Sequence, residues 1–220
     1  MNKLFMAVSN LIRRKKQLFI ILLIMLCVMI IAALPFILYA GRVYYIKVVG
    51  LKLVPSKDYP VNVTEYYRQK EPMWKDDKIG YTQKRMENTG CLICCVSTAI
   101  SHLGVPITPK ELNSKLTENN GYQGADLIWY KINEVLPEVD YSYSRIFNSK
   151  TIEKDLERGL LPVVNVRYYK TGVTHWVLIV GAKDGEFIIC DPMGDGHSTM
   201  LLSEHGNVLA YRVIERSGDN

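Results

Sequence analysis

The feature that most restricts how this 220-residue chain can fold is the run from Leu18 to Ala40. It carries no charged side chain and is almost wholly apolar, so it has no hydrophilic face to turn to water. Wound as a helix, its 23 residues span the roughly 30 Å hydrocarbon core of a bilayer. Arg13, Arg14, Lys15 and Lys16 precede it, which predicts a cytoplasmic N-terminus and places everything after the span outside. Arg42 and Lys47 on the far side weaken that asymmetry without reversing it. The run is longer than a signal-peptide core, and Leu38-Tyr39-Ala40 is a poor small-x-small cleavage site, so an uncleaved signal anchor is expected. Cys27 inside the run reads as a small apolar residue of the helix.

The net charge of +5 takes on meaning once it is placed along the chain. Lys3 and the four residues Arg13 to Lys16 account for all of it, leaving 22 basic against 22 acidic side chains elsewhere. A balanced domain lacks the basic patch that nucleic-acid binding requires, so no nucleic-acid partner is expected. The organisation expected is a cytoplasmic basic segment (1–16), a transmembrane anchor (17–40), a stalk or wrapping arm (41–78), one folded domain (79–216) and a short tail (217–220). Val43 to Leu53 fits either a continued helix or a strand. Pro55, Pro60 and Pro72 mark the arm as irregular. Asn62-Val63-Thr64 matches a glycosylation acceptor, which matters only in a eukaryotic secretory pathway.

Within the domain, Asn88 to Gly104 is the most informative stretch. A polar loop (Asn88, Thr89, Gly90) delivers Cys91 to the start of a helix whose apolar positions are Leu92, Ile93, Val96, Ala99, Ile100 and Leu103. A thiol at a helix N-terminus sits among unpaired N–H groups and the positive end of the dipole, which favours the thiolate. Thr108-Pro109-Lys110-Glu111 predicts a second helix to about Leu116, with Thr as N-cap, Pro first and Glu closing the capping box. A third helix is expected from Ala125 to Leu136, closed by Pro137, and a fourth from Ile152 to Arg158, ended by Gly159. Strands are then expected at Leu161–Val166, His175–Val180 and Glu186–Cys190, with Lys183-Asp184-Gly185 as a hairpin turn, and Val208–Ile214 closes the sheet. Helices first and strands afterwards define an α+β domain.

Cysteine catalysis needs a thiolate, a base, a group that orients the base, and donors for an oxyanion. Cys91 supplies the first. His175 begins an apolar strand and is the candidate base; Asp191 ends the next strand of the same hairpin, where it can accept the bond that fixes the imidazole tautomer. Gln83, eight residues before Cys91, can join the Cys91 backbone N–H in holding the oxyanion. Cys94 is the rival nucleophile, weakened by its expected burial. Cys94 and Cys95 read as small core residues, with one bridge from either to Cys190 as the alternative. A zinc site of Cys91, Cys94, Cys95 and His175 lacks the paired-knuckle spacing of structural zinc. His102 and His205 are expected to hydrogen-bond at the surface, His197 to line the cleft without acting as base, and Trp176 to form cleft wall or core.

Gln83, Gly90-Cys91, the helix ending Leu103-Gly104, Thr108-Pro109-x-Glu111-Leu112-Asn113, His175-Trp176 and Asp191-Pro192 together resemble the bacteriocin-processing, double-glycine type of papain-like cysteine peptidases. The similarity covers about residues 79 to 214 and is nearer to standalone membrane-attached or secreted relatives. It implies a papain-like fold and, for Cys91, His175, Asp191 and Gln83, the roles of nucleophile, base, orienting group and oxyanion donor. It implies neither cofactor nor metal, and a peptide or protein substrate. Leu92-Ile93 stands where many members have Gly-Pro, which sets the chain apart from the leader-peptide processors. The expectation is a membrane-anchored, extracytoplasmic cysteine peptidase. A non-catalytic peptide-binding domain on the same fold, or a thiol transpeptidase or acyltransferase, is the alternative.

Overall fold

The computed structural model describes residues 2–61, 63 and 65–218, with the backbone alone for residues 2–5 and 7–12. Asn62 and Thr64 of the acceptor pattern lie outside the described residues. The chain divides into two units, up to Tyr44 and from Tyr45 onward. Helix α1 runs Asn2–Val48, so the open question at Val43 resolves as continued helix. Its segment Arg13–Val48 is long and apolar enough to cross a membrane, and none of its most apolar window is buried by the protein. Pro35 lies inside it, an interruption that membrane helices tolerate.

The second unit begins with short helices: α2 (Met86–Thr89), α3 (Cys91–His102) and α4 (Pro109–Glu118). A small hairpin of β1 (Tyr122–Gln123) and β2 (Asp126–Leu127) follows, then α5 (Lys131–Val135), β3 (Val139–Tyr143) and α6 (Ser149–Glu157). The strands β4 (Val163–Arg167), β5 (Thr174–Lys183), β6 (Glu186–Cys190), β7 (Met200–Leu201) and β8 (Val208–Arg216) complete it. They form a six-stranded sheet in the order β3-β8-β4-β5-β6-β7, antiparallel throughout.

Local sequence explains most of these elements. Thr108 accepts from the Glu111 N–H while the Glu111 carboxylate reaches back to the Thr108 N–H, the expected capping box. Asn148 and Thr151 do the same for α6. Asp184 and Gly185 both take positive φ, the pairing that a tight β5–β6 turn requires.

Four elements depart from the sequence reading. The helix expected over Ala125–Leu136 shrinks to α5, because Gly124 at φ +64° turns the chain and Asp126–Leu127 pairs back onto Tyr122–Gln123. The loop before Cys91 contains the turn of helix α2. The last strand does not close the sheet at its edge: β8 lies between β4 and β3, and β3 was not expected at all.

Both faces of the sheet are covered, and the side chains divide between them with the period of two that a strand imposes. Val163, Leu178, Val180, Cys190 and Ile214 pack against α3, with Ile93, Val96, Ile100, Leu112, Leu116 and Ile132 in the same core. Val164, Val166, Val177, Ile179, Phe187 and Val213 pack on the other side with Phe147 and Ile152 of the α6 region. Nearly all of α3 is buried, Ile93 through Ile100 without a break. It is largely apolar, and the hydroxyl of its buried Thr98 donates to the Cys94 carbonyl one turn back. Each large aliphatic side chain so buried contributes about 1.5–3 kcal/mol of transfer free energy.

Residues 45–78 wrap this body. Leu53, Tyr59, Val63, Tyr66 and Trp74 are buried in it. The Tyr59 and Ala182 backbones exchange hydrogen bonds of 2.8 and 3.0 Å across the β5 edge. Gly181 makes this approach possible, since a Cβ there would stand 2.9 Å from the Tyr59 carbonyl oxygen. Gly181→Ala is therefore expected to push the arm off β5. Hydrogen exchange at the Tyr59 and Ala182 amides should accelerate, and stability should fall by about 1–3 kcal/mol in chemical denaturation. Unchanged exchange at both amides would show that the arm is not held there.

Candidate active site

The sequence stations Cys91 through a steric requirement. Gly90 ends α2 and caps α3, and a Cβ on it would come within 2.6 Å of the Met86 carbonyl oxygen. A glycine thus lets two helices meet end to end, and Cys91 becomes the first residue of the second. The N–H groups of that first turn have no acceptor within the helix. Cys91 is half-buried, whereas Cys94, Cys95 and Cys190 are buried.

Register brings the other two groups together. Leu178 pairs with Cys190 across β5 and β6, so the next residue, Asp191, falls level with Val177. His175 projects to the same face two residues along β5. Its Nε2 lies 2.6 Å from Oδ1 of Asp191, and the Met193 N–H donates to the same oxygen at 2.8 Å. With Nε2 engaged, Nδ1 is the nitrogen left for a second partner, and Cys91 lines the same cleft as the ring. Tyr168 packs edge-on against the imidazole, ring centroids 5.2 Å apart.

These neighbours set the protonation states. Burial alone would push the His175 imidazole down; the Asp191 bond, with the bond to and charge of Cys91, raises it to about 9. Burial would push the Asp191 carboxyl up, but the His175 and His205 rings and the Met193 N–H hold it well below the usual carboxylate range. Burial drives the Cys94 and Cys95 thiols well above an ordinary thiol and Cys190 to about 12. Of the four cysteines in this unit, only Cys91 has an imidazole beside it and access to solvent. The arrangement can hold a thiolate–imidazolium pair and deliver a nucleophile to a carbonyl.

Cys91 and His175 open onto a cleft of about 380 Å³ that Trp176, Tyr168, Leu92, Asp126 and Gln69 also line. A larger hollow of about 540 Å³ lies elsewhere; His102 and His197 line that one, so His197 is not a cleft residue. Gln83 does not reach the cleft either: it is exposed and absent from the lining. Gln69 stands there instead, 2% exposed. Its backbone N–H donates to the Pro192 carbonyl at 2.8 Å and its Nε2 to the Glu87 carbonyl at 2.6 Å, leaving the second amide hydrogen free. Its side-chain oxygen has no partner among the described residues. Proximity in sequence favoured Gln83; the wrapping arm brings Gln69 in from further away.

His205, too, lies elsewhere than the sequence suggested. It is buried rather than on the surface, with Nε2 3.3 Å from Oδ2 of Asp191. Among the described residues there is no cluster of three or more metal-ligating side chains and no disulfide.

The matching family model is that of the Peptidase_C39 like family, over residues 64–215. A crystal structure of a "putative C39-like peptidase" from Bacillus anthracis superposes with a TM-score of 0.51, covering 73% of this chain and 98% of that one. At 11% identity the likeness concerns the fold. No curated protein matches the chain.

The pH behaviour of Cys91 tests the geometry. The His175 imidazole, raised to about 9, stays charged at neutral pH in the cleft that Cys91 lines. Cys91 should therefore be alkylated by iodoacetamide at pH 6–7, where Cys94, Cys95 and Cys190 are silent. Asp191→Asn removes the charge that raises His175, so this reactivity should drop by about tenfold or more. A variant that alkylates like the wild type would show that the carboxylate does not support the imidazolium.

Proposed function

The chain belongs to the Peptidase_C39 like family, and from that premise we propose that it is a membrane-anchored thiol peptidase acting outside the cytoplasm. The observation that carries the reading is the buried 2.6 Å His175–Asp191 bond in the cleft that a half-buried Cys91, at a helix N-terminus, also lines. The apolar helix segment Arg13–Val48, with its basic N-terminal flank, supports the anchor and its orientation.

In this reading the Cys91 thiolate attacks the carbonyl carbon of a peptide or related amide. The carbonyl oxygen, now negative, takes donors from the Cys91 backbone N–H and the Gln69 side-chain amide. Collapse of the tetrahedral species breaks the C–N bond, and His175 Nδ1 gives its proton to the departing amine. Water then adds to the thioester, its proton passes back to His175, and C–S cleavage releases the acid and restores the thiolate. Asp191 remains ionised throughout and fixes the proton-bearing tautomer at Nε2.

The test uses the full chain in detergent micelles and a mixed peptide library, with new termini mapped by mass spectrometry. Wild type should generate cleavage products; Cys91→Ser and His175→Ala should lose at least about two orders of magnitude of that rate. Gln69→Ala should retain Cys91 alkylation yet lose roughly 100-fold in turnover, as expected for a missing oxyanion donor. Products that persist undiminished in Cys91→Ser, or their complete absence from wild type, would sink the peptidase reading. Added hydroxylamine should trap the thioester as a hydroxamate in wild type and not in Cys91→Ser, as an acyl-enzyme on Cys91 requires. In cells, the protein should resist extraction by carbonate, and protease added outside should degrade residues after the span. Protection of that part would reverse the proposed topology.

A further inference from the structure

Asp191 faces a second imidazole besides His175. Its Oδ1 takes the His175 ring and the Met193 N–H, while Oδ2 lies 3.3 Å from Nε2 of His205. His205 follows the 3-10 turn Leu202–Glu204 and precedes β8, and its side chain is 0% exposed. Tyr168, Tyr169 and His175 enclose the ring at centroid distances of 5.6, 5.4 and 5.9 Å. The Nε2 contact is within hydrogen-bonding distance but off the line of the N–H bond, so neither ring nitrogen has a well-aligned partner among the described residues.

A neutral imidazole carries one N–H, and the two tautomers differ sharply here. With the proton on Nε2, the ring points a donor at a carboxylate oxygen. With it on Nδ1, the Nε2 lone pair opposes a negative charge in a dry setting, an unfavourable arrangement. A carboxylate turns readily about its last torsion, so one held by a single oxygen is poorly fixed.

From this juxtaposition we infer that His205 is a positioning residue: its Nε2–H anchors Oδ2 of Asp191, which keeps Oδ1 aimed at Nε2 of His175. The inference rests on the thiol-peptidase reading of Cys91 and His175. His205 touches neither thiol nor cleft, and acts through the carboxylate. The ionisable groups around this carboxylate and its two rings, among the described residues, include Cys91, Cys95, Cys190, Tyr66, Tyr168 and Tyr169, with Lys170 over the Tyr169 ring. One carboxylate thus serves two imidazoles, one at each oxygen.

Two measurements on the full chain in detergent micelles test this. In wild type with ¹⁵N-labelled histidine, NMR should find His205 protonated at Nε2; protonation at Nδ1 with a bare Nε2 would overturn the assignment without any substitution. The second follows Cys91 alkylation by iodoacetamide across pH, resolved by peptide mapping. His205→Phe keeps a ring but no donor, and should move the midpoint up by about one pH unit, slowing alkylation about tenfold on its acid side. His205→Gln, which can still donate, should recover most of that shift. A residue that merely fills space would leave the midpoint in place, and a His205→Phe profile superimposed on wild type refutes the inference. Should His205→Phe not fold, a His205→Gln midpoint displaced by a full unit refutes it equally. A wild-type Cys91 with no reactivity below the ordinary thiol range would instead remove the peptidase reading itself, a result distinguishable from an unmoved His205 variant.

Discussion

Everything in the folded unit is arranged about the burial of α3. A helix covered on all sides can expose only its ends, and the sequence uses one of them. The sheet packs on it with Leu178, Val180 and Cys190, α4 with Leu112 and Leu116, and the arm with Val63, Tyr66 and Trp74. Such a helix cannot rotate or slide without opening several contacts at once, so the position of Cys91 is set by the whole core. Of the three cysteines in α3, the one at the N-terminus meets solvent and an imidazole, while burial holds the other two as thiols. The same burial that stabilises the helix therefore selects which sulfur can react.

The cost of this arrangement falls on the charged pair. Taking an imidazolium and a carboxylate out of water costs several kcal/mol for each ion, and a single contact between them does not recover it. The structure offsets the penalty by multiplying donors on one carboxylate: His175 and the Met193 N–H on Oδ1, and the His205 ring against Oδ2. The aromatic rings of Tyr168 and Tyr169 exclude water from the far side without adding charge. Because Nε2 of His175 is taken up by Asp191, Nδ1 is the ring nitrogen left for another partner. Which nitrogen does which task is decided by the hairpin register, not by the cysteine.

Legibility in the sequence followed the range of the interactions. Capping at Thr108 and Asn148 and the Asp184-Gly185 turn depend on neighbours within a few residues. The capping box of α4 and the turn could accordingly be read directly. Cys91 at a helix start and the His175/Asp191 hairpin were likewise readable, since one is a local pattern and the other follows from strands joined by a tight turn. Val139 to Tyr143 does alternate apolar and polar, but the run is only five residues long and its sheet partner, β8, lies some seventy residues on, so the local signal was too short to stand out. The helix expected over Ala125–Leu136 failed for the converse reason: its apolar spacing was helical, but Gly124 at positive φ turned the backbone first.

Gln69 and His205 were hidden by the same physics. Both reach the site through segments with no regular periodicity, one in the wrapping arm and one between a 3-10 turn and the last strand. Hydrophobic patterning has no purchase on such residues; their burial follows from contacts made far along the chain. The arm did carry a signal of another kind. Tyr66, Tyr67 and Trp74 flank Gln69, and a solvated stalk has no use for three aromatic rings within nine residues. Apolar area of that size is stabilising only when covered, so the arm had to lie on the body and bring its polar residues with it. His205 gave no comparable hint. Its neighbours Glu204 and Gly206 suit a surface turn, and only the insertion of β8 into the middle of the sheet carries the preceding imidazole inward, against the carboxylate at the end of β6.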